Sequence, residues 1–135
     1  MKVEINWKKG LLFEGITESG HSVKLDYVPD GKTSEGPAPM EVFLVSAGVC
    51  SGMDVVDILR KMKKDIKEFK IVIDGKRRKE FPRIFTDVEY NYFINGYNLN
   101  SSDVEKAINL SFEKYCSIIA MIREKVNVSY SLKML

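Results

Sequence analysis

The residues best suited to chemistry are the two cysteines, Cys50 in "LVSAGVCSGMDVV" and Cys116 in "FEKYCSIIAMI". A cysteine attacks as its thiolate. Its ordinary pKa of about 8.5 must be lowered by a cation, a hydrogen-bond donor or a helix start before much thiolate exists at neutral pH. Two thiols that the fold brings together can do more than one. If the first is oxidised to a sulfenic acid, it condenses with the second to a disulfide and is spared further oxidation. The plainer reading is two small buried hydrophobes, the usual fate of a cysteine in an apolar helix. His21 is the one histidine, in the turn "ESGHS". A Cys–His hydrolase would need it, but such a turn position is ordinarily just solvated. Two cysteines and one histidine with no close spacing do not make a metal site, so neither metal nor cofactor is expected.

The elements that must position the cysteines follow from polarity patterns. "VEINW", "LLFEGIT" and "VKLDYV" alternate and are separated by "KKG" and "ESGHS", which predicts an antiparallel meander. A Pro, Gly and Ser-rich loop, "PDGKTSEGPAP", leads to a long helix opening at Pro39, since proline suits the first helical turn. From Val42 to Met53 this helix carries no charge and several small residues, among them Gly48, Ser51 and Gly52. A helix apolar all round is expected to be buried all round. Each interior glycine costs about 1 kcal/mol against alanine, so close packing, most naturally on another helix, must offset it. After Asp54 the pattern turns amphipathic. Cys50 lies about three turns in, too far for the helix dipole to help it much, whereas Cys116 lies beside a new helix start. Two strands follow, "FKIVIDG" and "IFTDVEYNYFING", joined by the charged turn "KRRKEFPR". A helix then starts at Ser101 or Ser102, with Glu105 placed for a capping box. A break near Cys116, a short helix and a closing strand, "VNVSYSLKML", complete an α+β order in one domain, residues 1–135.

Composition narrows the classes of function. With 135 residues, 44% apolar and 30% charged, the chain has the make-up of a folded globular domain. No run approaches the roughly 18 uncharged apolar residues of a membrane span. The N-terminal "MKVEINWKKGLLFEG" lacks the features of a signal peptide, so a cytoplasmic protein is expected. A net charge of +2, from 21 basic and 19 acidic side chains, gives no footprint for nucleic acid. The basic cluster Lys76 to Arg83 reads as a solvated hairpin turn. The aromatics of "EYNYFINGY" read as core or dimer contacts. Met40, Met53, Met62 and Met121 read as adaptable core fillers, some of which would line an apolar channel.

Taken together, the two cysteine segments, "GPAPMEVFLVSAGVCSGMDVVDIL" and "FEKYCSIIAMI", and the order of elements around them resemble the OsmC/Ohr family of thiol-dependent hydroperoxide reductases. The resemblance covers essentially the whole chain. It implies antiparallel sheets around a long buried central helix, and an intertwined homodimer whose active sites draw on both subunits. The partner chain would then receive the face of Gly48, Ser51 and Gly52. By position, Cys50 is the implied peroxidatic thiol and Cys116 the resolving thiol. A thiol or dithiol reductant would regenerate the pair, and the substrate would be an organic hydroperoxide or, less well, hydrogen peroxide. Two departures stand out. The family's thiolate-binding arginine has no counterpart before Arg60, leaving Lys8, Lys9, Lys24 and Lys32 as candidate cations. The glutamate expected directly after the helix-opening proline is Met40, with Glu41 one position later. One residue turns a helical side chain by about 100°. The missing arginine motivates a second reading, a non-catalytic module that binds a small apolar ligand at the dimer interface.

Overall fold

A computed structural model of the chain describes residues 1–29 and 32–135. Two compact units are present, Met1–Phe43 and Leu44–Leu135. The first is the expected meander: β1 (Val3–Lys9), β2 (Leu12–Thr17) and β3 (Ser22–Leu25), antiparallel in the order β1-β2-β3. Gly10 and Gly20 turn the chain with φ of +51° and +84°, a backbone region in which side chains are strained. Register places Trp7 opposite Phe13, and Ile5 and Val23 both opposite Gly15. Trp7, Ile5, Phe13 and Val23 therefore share one sheet face. All four are exposed, Trp7 by 66%.

The long helix α1 (Pro39–Lys61) opens where the proline predicts. The Glu41 carboxylate accepts the Ala38 N–H at 2.8 Å and so caps the helix start. Within Leu44–Leu135 the remaining elements are β4 (Asp65–Arg77), β5 (Phe85–Tyr97), α2 (Ser101–Leu110), a single π-helical turn (Ser111–Tyr115), α3 (Ser117–Ile122) and β6 (Asn127–Met134). β4 and β5 pair antiparallel, with β5 at the centre of the sheet. β6 departs from the antiparallel expectation: it runs parallel to β5, from Asp87 opposite Asn127 to Ile94 opposite Met134. The helical crossover α2–α3 makes this possible, because parallel neighbours need a long connection. Alternation along β5 buries Val88, Tyr90, Tyr92 and Ile94, and Val55, Leu59, Val104, Ile108 and Ile119 complete the core.

Three expectations about the helices change. First, α1 is buried on one face only: Ala47, Gly48, Ser51, Gly52, Val55 and Leu59 are buried, while Val45, Val49 and Met53 are 63%, 48% and 69% exposed. Second, its small residues make room for a strand of the same chain and not for a helix. A Cβ on Gly48 would lie 2.5 Å from Ile73 Cδ1, and one on Gly52 would lie 3.1 Å from Ile71 Cδ1. Third, α2 is capped by Asn100, whose side chain accepts the Asp103 N–H at 2.9 Å, and not by Ser101 or Ser102. Met53 and Met121 are exposed rather than core fillers. The basic hairpin folds on itself, with Arg77 Nε donating to the Arg83 carbonyl at 2.7 Å and the Arg83 guanidinium 4.5 Å over the Phe81 ring. Among the described residues, α1 is the one helix long and apolar enough to cross a membrane, a test that core helices of soluble proteins also pass.

Candidate functional site: a pair of free thiols under helix α1

Cys50 and Cys116 come together. Both are free thiols, Cys50 half-buried and Cys116 2% exposed, and they lie near enough for Cys50 to act on the Cys116 thiol electrostatically. Cys50 is held by a continuous helix. Cys116 sits in extended backbone (φ −70°, ψ 106°) in the break between the π-helical turn and α3. Burial pushes the Cys116 thiol up to about 11, the neighbouring Cys50 pushes in the same direction, and the backbone N–H groups of Ile119 and Ile118 oppose it only partly. Cys116 is thus held protonated at neutral pH.

A buried polar chain fixes the cysteine segments to each other. Tyr92 Oη lies 2.5 Å from Ser51 Oγ, Ser51 Oγ lies 2.9 Å from Ser111 Oγ, and Ser111 Oγ lies 2.9 Å from Asp54 Oδ2. Each hydroxyl has one proton and a carboxylate only accepts. Ser111 Oγ is therefore the donor that faces both Ser51 Oγ and Asp54 Oδ2, sharing its one proton between them. Ser51 is the residue after Cys50, and the Ser111 carbonyl accepts the Cys116 N–H at 2.8 Å. Ser111 thus holds α1 with its side chain and the Cys116 backbone with its carbonyl. Burial raises the Tyr92 pKa well above that of an ordinary phenol, so Tyr92 remains a donor.

The exposed stripe of α1 and the inward residues of β4 form an apolar groove of about 700 Å³, which neither cysteine lines. Its lining includes Leu44, Val45, Val49, Met53, Phe69 and Ile73. Glu41 is exposed, with its carboxylate engaged in the helix cap. Of the candidate cations, Lys8 pairs with Glu14 at 2.9 Å and Lys9 with Glu35 at 2.8 Å. His21 Nδ1 lies 3.0 Å from Ser19 Oγ in its exposed turn. Sequence reasoning gave Ser51 a packing role and Tyr90 and Tyr92 a core or dimer role, and passed over Asp54 and Ser111. The one usable signal was Tyr90 and Tyr92 on the alternating inward face of β5, where two polar tips must find partners or tasks.

A mixed α+β fold with two three-stranded sheets and a long helix that carries one of two neighbouring thiols defines a class. The OsmC-like protein family model matches residues 30–131. The chain belongs to the OsmC-like family. It is 37% identical over 131 residues to protein YhfA of Escherichia coli K12, covering 97% of this chain and 96% of that one. A crystal structure of a protein from Aquifex aeolicus VF5 superposes with a TM-score of 0.85 at 34% identity, covering 99% and 96% of the two chains. The organic hydroperoxide resistance protein OsmC of Legionella pneumophila shares the fold, with a TM-score of 0.73 at 18% identity over 98% and 97%.

Proposed function

We propose that this protein is a thiol-dependent peroxidase that reduces organic hydroperoxides, with hydrogen peroxide a poorer substrate. The observation that carries the reading is the closeness of two free thiols of unequal character, one half-exposed on a rigid helix and one buried at a chain break. The Legionella relative, named for hydroperoxide resistance, supports the substrate class. The Cys50 thiolate attacks the outer oxygen of ROOH: an S–O bond forms, the O–O bond breaks, and RO⁻ leaves and takes a proton to become ROH. Cys116 then attacks the sulfenic sulfur: the S–S bond forms and water leaves. Two external thiols, or one dithiol, reduce the disulfide and are themselves oxidised. Glu41 serves this reaction by fixing the opening of α1.

The protein acts as a cytoplasmic homodimer, each chain working as one domain. Supporting this are the exposed apolar face of the N-terminal sheet and the exposed stripe of α1, surfaces a second copy would cover. The test is consumption of cumene hydroperoxide with a dithiol reductant. The wild type is expected to exceed Cys50→Ser by at least about 100-fold, as for loss of a nucleophile. Equal rates would remove the peroxidase reading. The groove on α1 favours a second reading, a module that binds a small apolar ligand without turnover. Ligand binding by Cys50→Ser and wild type alike, with no peroxide consumed by either, would select it.

A further inference from the structure

Tyr90 is fully buried, and its Oη has no hydrogen-bond partner among the described residues. A buried donor left unpaired is destabilising and rare. Its neighbour on the same face of β5 shows the contrast. The Tyr90 and Tyr92 rings stack at 6.2 Å and 14°, yet the Tyr92 hydroxyl ends in the Ser51 chain while that of Tyr90 does not. Packing holds the Tyr90 ring, with Phe112 edge-on at 5.2 Å. The titratable groups interacting with its hydroxyl are Cys116, Tyr92 and Cys50. The ring is thus held between Tyr92, whose hydroxyl reaches Ser51 next to Cys50, and Phe112, four residues before Cys116, with its unpaired phenol bonded to neither sulfur.

We propose that Tyr90 is the proton relay of the resolution step, accepting the Cys116 S–H proton while donating its own to the departing hydroxyl of oxidised Cys50. The inference rests on the peroxidase reading. In this step the S–S bond forms, the Cys50 S–O bond breaks, the hydroxyl leaves as water, and Tyr90 ends with the proton it took from Cys116. No external acid or base is consumed. The step needs such a route because burial holds the Cys116 thiol protonated, up to about 11, so solvent supplies little thiolate at neutral pH. Burial likewise raises Tyr90 well above an ordinary phenol, which keeps its proton on the oxygen between turnovers. In the reduced protein the hydroxyl is unpartnered because its acceptor arrives only with the oxygen atom.

The test is single-turnover oxidation of wild type and Tyr90→Phe with cumene hydroperoxide, following sulfenic acid by dimedone trapping and disulfide by mass. Tyr90→Phe is expected to form the sulfenic acid at the wild-type rate but to close the disulfide at least about tenfold more slowly, the usual size of a general acid–base contribution or less. Its closure should also become steep in pH, rising about tenfold per unit as solvent must supply the thiolate, while wild-type closure stays nearly flat. A thermal midpoint equal to or above wild type is expected, because Phe keeps the ring and removes only an unpaired oxygen. Closure at the wild-type rate and slope would overturn the relay and leave the peroxidase reading standing. Absence of sulfenic acid in the wild type would overturn the peroxidase reading and the relay with it.

Discussion

The two cysteine segments solve opposite problems. Cys50 is half-exposed, where a peroxide can reach it, yet its backbone is locked in the middle of a 23-residue helix. Cys116 is closed off from solvent, yet lies where the helical hydrogen bonding is interrupted, between the π-helical turn and α3. A reaction in which one sulfur meets substrate and the other then closes on it needs that division. The attacking atom must be accessible and fixed, and its partner must be shielded and able to shift. The polar chain through Ser111 joins the two segments, and the Cys116 carbonyl, accepting the Ala120 N–H at 3.0 Å, ties the break to α3.

Removing the buried partner gives the largest contrast between the segments. Cys116→Ser is expected to consume one peroxide per chain at the wild-type rate and then stop at the sulfenic acid, which further peroxide carries to sulfinic acid. Steady-state turnover with a dithiol should fall by at least about tenfold, the scale of a lost participating group. Peroxide-dependent turnover at the wild-type rate with no sulfinic product would make the two segments independent.

Cutting the tie between them comes next. Ser111→Ala leaves the Asp54 carboxylate and the Ser51 hydroxyl short of a partner, and should lower unfolding free energy by about 1–3 kcal/mol in a urea titration. Disulfide closure should slow in step, while first oxidation of Cys50 is unchanged. A variant of wild-type stability would show that the chain does not hold α1 to the Cys116 segment.

The smallest effect is on pH. The folded Cys116 pKa is raised from 9.0 to about 11, so its contribution to stability is complete below pH 9 and lost as pH rises through about 11. Wild type should therefore lose up to roughly 2 kcal/mol more than Cys116→Ser across that window. Parallel stability curves would place the thiol in a more polar setting than its burial indicates.

Both cysteines, the proline that opens α1 and the break near Cys116 were legible because each rests on local chemistry: a thiol, a fixed φ, a change of period. What α1 packs against was not. Glycines at 48 and 52 say that something comes close, but only the register of β4 decides that it is Ile73 and Ile71. The Asn100 cap was missed because Asn, Ser and Ser in succession all suit the position, and backbone geometry chooses among them. Ser51 and Ser111 are 60 positions apart and individually ordinary, so their link appears only in three dimensions. Glu41 was weighed for the site by analogy of position, whereas its spacing of three from Ala38 suits the helix cap it forms.

The most direct test of the paired-thiol account is the mass of the wild-type chain after one equivalent of cumene hydroperoxide, read without reductant and followed by peptide mapping. The account predicts the loss of two hydrogens and a single linked pair of peptides containing Cys50 and Cys116. Added oxygen on Cys50 with Cys116 still a free thiol, or two unmodified cysteines, would contradict it.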